Sequence, residues 1–219
     1  MSAPRIALLD YGMGNLRSAE KALEHVGAAV EITRDHERVR AADGVVLPGV
    51  GAFPKAMDAV RRLGFDELLG DRVAAGMPVL GICLGMQLLF ESSSELGGAQ
   101  GLGLLAGRVE PIDAGGLKVP HIGWNTVGWR RQSPLTAELP DPCAFYHVHS
   151  FTPVGASGTD VLGCASYGAE FVSAVARGPV FGVQFHPEKS GGHGLRLLHN
   201  FTRLCAHGKP TGLPGLAAA

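Results

Sequence analysis

The sequence predicts an α/β fold, a doubly wound and largely parallel central sheet flanked by helices, with antiparallel strands added in the second half. In the first half, short apolar runs alternate with helical patterns, the order expected of a parallel sheet with helices on both faces. Two of those runs end in glycine-rich turns and one in a cysteine, at the carboxyl strand ends where such folds place their sites. After Glu95 the helical patterns give way to short β-like runs separated by turns.

Taken in order, Arg5 to Asp10 is an apolar run ending in a carboxylate, and Gly12-Met13-Gly14-Asn15 turns into a helix from Leu16 to His25 that stops at Gly27. Ala29 to Thr33 is a second strand and Gly44 to Leu47 a third, broken by Pro48-Gly49-Val50-Gly51. Helices follow from Phe53 to Leu63 and from Phe65 to Ala75, then a fourth strand at Val79 to Ile82 and a helix from Leu84 to Glu91. Beyond the Gly97 to Gly103 loop come β-like runs at Val109 to Ile112, Ala144 to Phe151, Val161 to Tyr167 and Phe171 to Ala176, and a closing helix from Gly192 to Ala206. With 219 residues, 46% hydrophobic and 18% charged, the chain can bury one sizeable core. Residues 1–207 read as a single domain and 208–219 as a loose tail.

Composition excludes several functions. A net charge of −1 without a lysine or arginine run gives no footprint for nucleic acid or an anionic membrane. The segment before the first strand is too short for a signal peptide or a membrane span, so the chain is expected in the cytoplasm. Four scattered cysteines without a Cys-x-x-Cys pair suggest neither a zinc site nor a disulfide framework. Gly12-x-Gly14 does not complete a dinucleotide fingerprint, because Arg17 stands where the third glycine belongs. His147 and His149 share one strand face, but no third metal ligand is indicated. No cofactor is expected.

Two constellations carry chemistry. Gly81-Ile82-Cys83-Leu84-Gly85 reads as a nucleophile elbow, in which small flanking residues let a strained turn hold a thiol out of the sheet. The helix that follows favours the thiolate, and the Leu84 amide and the Val50-Gly51 turn are candidate oxyanion donors. Helical spacing places Gln87 and Glu91 on the face of Cys83. The second constellation is Phe185-His186-Pro187-Glu188, where a β run delivers a histidine and the carboxylate two residues on can fix its tautomer, as the base and orienter of a Cys-His-acid triad.

Together, Gly81 to Gln87 and Phe185 to Glu188 resemble the class I, triad-type glutamine amidotransferases, whose fold is flavodoxin-like. Within that class, Asp10-Tyr11-Gly12-Met13-Gly14-Asn15-Leu16, Pro48 to Phe53 and Pro120-His121-Ile122-Gly123-Trp124-Asn125 resemble the glutaminase subunits of imidazole glycerol phosphate synthases. The resemblance implies glutamine as substrate, with Cys83 as nucleophile, His186 as base and Glu188 as orienter. It implies glutamine contacts from Gly51, Gln87, Glu91 and the backbone around His149-Ser150-Phe151. It further implies a heterodimer with a (β/α)₈-barrel cyclase that uses the ammonia to form imidazole glycerol phosphate and the purine-pathway carboxamide AICAR. Trp124, Asn125, Tyr146 and Lys189 match interface positions and Asn15 a coupling position.

The chain departs from the family run at His147 and Phe151. Two other readings remain at this stage. A glutaminase serving another synthase should lack the Pro120 to Asn125 and Asp10 to Asn15 stretches, and a free-standing amidase should need no second protein. The flexible Gly49-Val50-Gly51 turn suggests that the isolated chain is nearly inactive until a partner sets the oxyanion amide.

Overall fold

The computed structural model describes residues 3–206. Its main sheet is built from β1 (Arg5–Leu9), β2 (Ala29–Thr33), β3 (Gly44–Gly49), β4 (Val79–Cys83), β8 (His121–Trp129), β9 (Cys143–His149), β11 (Val161–Tyr167), β12 (Ala169–Arg177) and β13 (Val180–Val183). The strand order is β2-β1-β3-β4-β13-β12-β11-β8-β9. The first five strands run parallel and the next four are added antiparallel. The parallel block therefore has the order of a flavodoxin-like sheet. Ladders such as Val45 against Val79 and Gly182 against Gly81 fix its register.

Helix α1 (Leu16–His25) and the closing helix α6 (Gly191–Ala206) pack on one face, where Leu23, Leu197, Leu198 and Phe201 meet Ile6, Leu8, Leu80 and Phe181. On the other face α2 (His36–Ala41), α3 (Phe53–Arg62), α4 (Phe65–Ala74) and α5 (Leu84–Leu88) cover Ala7, Leu9, Val45, Leu47 and Val79. Strands buried on both faces read as continuous apolar runs, which is why β3 and β4 stand out in the sequence. A small second sheet, ordered β10-β7-β5-β6, joins β5 (Ser92–Ser93), β6 (Ala99–Gln100), β7 (Arg108–Pro111) and β10 (Phe151–Val154).

The structure departs from the sequence expectations in several places. The helix after Cys83 ends at Leu88 rather than Glu91. The carbonyls of Leu88, Leu89, Phe90 and Glu91 instead accept backbone amides of Leu102, Leu105, Gly103 and Gly101, so a neighbouring loop outcompetes continued helix. The run from Ala144 to Phe151 divides at Ser150 into β9 and β10, which lie in different sheets. Strand β8 and helix α2 are additions, the latter capped by the Asp35 carboxylate, which accepts from the amides of Glu37 and Arg38. The expected tail lies outside the described residues.

Candidate active site

Cys83 ends β4 and N-caps α5 with φ 56° and ψ −114°, a left-handed backbone held by a non-glycine residue. Such strain persists only where the surroundings enforce it. A Cβ on Gly85 would lie 1.8 Å from the Leu47 carbonyl oxygen, and one on Gly81 would lie 2.6 Å from the Gly85 oxygen. Both glycines of the elbow are therefore demanded by close backbone approach. The Cys83 thiol is 6% exposed at the bottom of a cleft.

His186 follows β13, the strand paired directly with β4. Its amide donates to the Tyr146 carbonyl (2.9 Å), and its own carbonyl accepts the Ser190 hydroxyl (2.6 Å), which in turn accepts from the Tyr146 amide. Phe185 beneath it stacks on Phe145 with ring centres 3.9 Å apart. Strand β9 thus fixes the backbone that carries the imidazole. Nδ1 of His186 lies 2.8 Å from Glu188 Oε1, a pair whose side chains are 5% and 4% exposed. This contact leaves Nε2 for Cys83. Burial alone would lower the His186 pKa, but hydrogen bonds to Cys83 and Glu188 and their charges outweigh it and raise the imidazole to about 9. Glu188 Oε2 is buried without a partner, so the carboxylate spends its one contact on the imidazole.

The cleft, about 310 Å³, is lined by Val50, Gly51, Cys83, Leu84, Gln87, Glu95, Pro120, Val148, His149, Ser150, Phe151, His186 and Lys189. Two larger surface hollows, one around Arg5 to Ala42 and one around Trp129 to Asp141, hold no nucleophile beside a base, so chemistry rather than size selects the site. The cleft gathers most of the residues expected from sequence, with one correction. Glu91 is exposed outside it and accepts the Gly107 amide at 3.1 Å, because α5 stops a turn too early to keep it on the face of Cys83. Glu95 stands in the cleft instead, its carboxylate accepting the Phe53 amide at 2.7 Å.

Two polar residues that sequence reasoning passed over shape the site. Tyr11 donates to the Pro48 carbonyl at 2.5 Å and so pins the turn that carries Val50 and Gly51; burial, then the charge of Cys83, raises its pKa. Gln184, fully buried, donates to Cys83 Sγ at 3.8 Å and accepts from Gln87 at 3.0 Å. Tyr11 stood out only as part of the Asp10 to Leu16 stretch, and a glutamine between Val183 and Phe185 reads as a strand filler.

In the cleft wall at His149, and behind it at His121 and His147, lie three more imidazoles. His149 Nδ1 donates to the Phe151 carbonyl (2.9 Å), so its Nε2 accepts from His121 Nδ1 (2.9 Å), whose Nε2 in turn faces the Asn125 amide at 3.3 Å. His147 donates to the Phe145 carbonyl and accepts the Ser173 hydroxyl. Each ring thus sits as one fixed neutral tautomer. Burial, with the neighbouring imidazoles, pushes His147 down to about 3 and His149 down to about 4, and burial lowers His121. Among the described residues no group of three or more His, Cys, Asp or Glu is arranged to hold a metal.

The remaining expected residues lie around the rim. Trp124 is 60% exposed and packs edge-on to Tyr146 across the β8–β9 ladder. Ile122, Val119 and Leu117 are exposed on the same stretch of chain. Asn15 is exposed at the start of α1, and Lys189 at the cleft edge. Asn125 faces the opposite way from Trp124, its amide donating inward to the Ser166 carbonyl at 2.9 Å.

Comparison with known proteins agrees with this geometry. Residues 7–204 match the family described as glutamine amidotransferase class-I. The chain is 48% identical over 202 residues to the imidazole glycerol phosphate synthase subunit HisH of Moorella thermoacetica, covering 92% of this chain and 96% of that one. It is 49% identical over 203 residues to the HisH subunit of Pseudomonas syringae, covering 90% and 95%. Among solved structures, PurLQS from Thermotoga maritima superposes with a TM-score of 0.75 at 20% identity, covering 92% of this chain and 98% of that one; at that identity the likeness speaks for the fold alone. The strained cysteine elbow, the buried histidine–glutamate pair and this kinship place the chain in the class-I glutamine amidotransferases and, within them, in the HisH family of glutaminase subunits of imidazole glycerol phosphate synthase.

Proposed function

We propose that this chain hydrolyses L-glutamine to glutamate and ammonia through Cys83, His186 and Glu188. The observation that carries the reading is the meeting, in one cleft, of a cysteine on a strained elbow with an imidazole held at 2.8 Å by a buried carboxylate. His186 takes the Cys83 thiol proton on Nε2, and the sulfur attacks the side-chain carbonyl carbon, forming a C–S bond while the π electrons move to oxygen. The amides of Leu84 and of the Val50-Gly51 turn are the proposed donors to that oxyanion. The His186 imidazolium protonates the nitrogen, the C–N bond breaks and ammonia leaves a γ-glutamyl thioester. His186, now neutral, takes a proton from water, the hydroxide adds to the thioester, and the C–S bond breaks to release glutamate.

In this reading Gly51, Gln87, His149, Ser150 and Phe151 hold glutamine, with Glu95 taking the place first given to Glu91. The ammonia goes to a cyclase subunit in a heterodimer, which forms imidazole glycerol phosphate and AICAR in histidine biosynthesis. The exposed apolar stretch with Trp124 and Tyr146, flanked by Asn15 and Lys189, is the proposed cyclase-facing rim. Asn125 acts there through His121 from within. Residues 1–207 work as one domain in the cytoplasm. Among the described residues no helix is long and apolar enough to cross a membrane.

The test is glutamate release from glutamine by the purified chain, alone and with a cyclase subunit and its nucleotide substrate, beside Cys83→Ala. The expected result is weak release alone, strong stimulation in the mixture, and a loss of at least about 10³-fold in the variant. Full activity alone would favour a free-standing amidase, and an active Cys83→Ala chain would overturn the triad.

A further inference from the structure

Three groups surround the Cys83 sulfur, and they favour different protonation states. The Val148 carbonyl, 3.7 Å away, accepts the thiol proton and therefore favours the neutral thiol. His186 opposes it from the cleft side. The third group is the Gln184 side-chain amide, 3.8 Å from the sulfur, approaching from the interior. An amide N–H is only a donor, so this contact strengthens as the sulfur gains charge.

The orientation of Gln184 is not free. Its oxygen accepts one N–H of Gln87 at 3.0 Å, so its NH₂ must point to the sulfur. The other N–H of Gln87 goes to the Phe151 carbonyl at 3.1 Å, where His149 also donates. Both donors of Gln87 are thereby consumed, and only its oxygen is left for a substrate N–H. The Gln184 amide is fully buried and lines no part of the cleft. It therefore acts on the nucleophile and not on glutamine.

We infer that Gln184 is a further residue of the catalytic apparatus, a fixed N–H donor that stabilises the Cys83 thiolate and offsets the Val148 carbonyl, with Gln87 as the positioning residue that aims it. The inference rests on the reading of Cys83 as nucleophile. A near-isosteric Gln184→Met removes the donor and keeps the volume.

The experiment follows alkylation of the Cys83 peptide by iodoacetamide against pH in the full chain, read by mass spectrometry. Gln184→Met is expected to raise the midpoint by about one pH unit, the tenfold cost of losing a hydrogen bond to a charged group. Gln87→Met, which only frees the amide to turn, should raise it by less. In the unsubstituted chain the Gln184 side-chain amide resonance should shift with the same midpoint as Cys83. In turnover, kcat of Gln184→Met should fall about tenfold while KM for glutamine moves less than about twofold. An unchanged alkylation midpoint in either folded variant, or a Gln184 resonance blind to Cys83, overturns the inference. The alkylation readout needs no turnover: a chain in which Cys83→Ala still released glutamate would sink the proposed function while leaving the midpoint measurement intact.

Discussion

The parallel and antiparallel halves of the central sheet both build the cleft, and they hold their share of it by different means. The parallel half delivers Cys83 by backbone exclusion: Gly81 and Gly85 are the only residues that fit against Leu47 and the first turn of α5. The antiparallel half delivers the wall and the seat of His186 by polar contacts, from Tyr146 and Ser190 to the chain of Asn125, His121 and His149. Steric exclusion fails all at once, whereas a polar network loses one bond at a time.

That contrast can be broken at graded points. The largest effect is expected at the meeting of the halves, where His186→Ala should lower glutamate release by about 10³- to 10⁴-fold and Glu188→Gln by about 10²-fold. Because His186 is raised to about 9, the imidazolium persists through neutral pH and activity should fall on an alkaline limb near that value. The same group adds stability that is complete below its unfolded value and lost as pH rises toward about 9. Glu188→Gln should move the limb to lower pH, as a pH–rate profile would reveal.

Steric exclusion itself is tested by Gly85→Ala, whose methyl would meet the Leu47 oxygen at 1.8 Å. A loss of about 3 kcal/mol or more in denaturant unfolding is expected. The control is Gly70→Ala inside α4, where a Cβ meets nothing within 4 Å, and a gain of about 0.5–1 kcal/mol should follow. A small loss for Gly85→Ala would mean that the elbow yields.

The polar half is sharpened by acid. The folded chain holds His147 down at about 3, while the unfolded imidazole binds its proton near its ordinary value, so stability falls as pH drops through that window. One such group costs about 2 kcal/mol between pH 6.5 and 5. His147→Phe should flatten that slope in unfolding titrations, despite leaving the Ser173 hydroxyl without its acceptor. The smallest effect belongs to Trp124→Ala on the exposed face of β8, expected to change stability by less than about 0.5 kcal/mol while reducing stimulation by the cyclase.

The two halves also differ in how far they could be read. Strand β2 and helix α1 appear in the sequence at their true limits, because Gly14 and Gly27 bracket the helix and the charged pair Arg34-Asp35 ends the strand. Strand β8 escapes the same reading. Its exposed side chains include Ile122 and Trp124, while His121 and Asn125 point inward, which inverts the usual pattern. The motifs bring Cys83, His186 and Glu188 forward because the chemistry proposed for them is local in sequence. Glu95 was hidden because the end of α5 is decided by amides of residues 101–105, which no local pattern around Leu88 announces.

The three silent imidazoles have a consequence for what leaves the site. Ammonia is useful to an acceptor only while it keeps its lone pair, and any acid along the wall would convert it to ammonium. His121, His147 and His149 have the shape and polarity of histidine, but their depressed proton affinity leaves them no acidic proton to give. In the reaction proposed above, the one imidazolium within reach has just spent its proton on the departing nitrogen. With every ring nitrogen already paired to a protein group, the wall offers a small base neither an acid nor a binding stop.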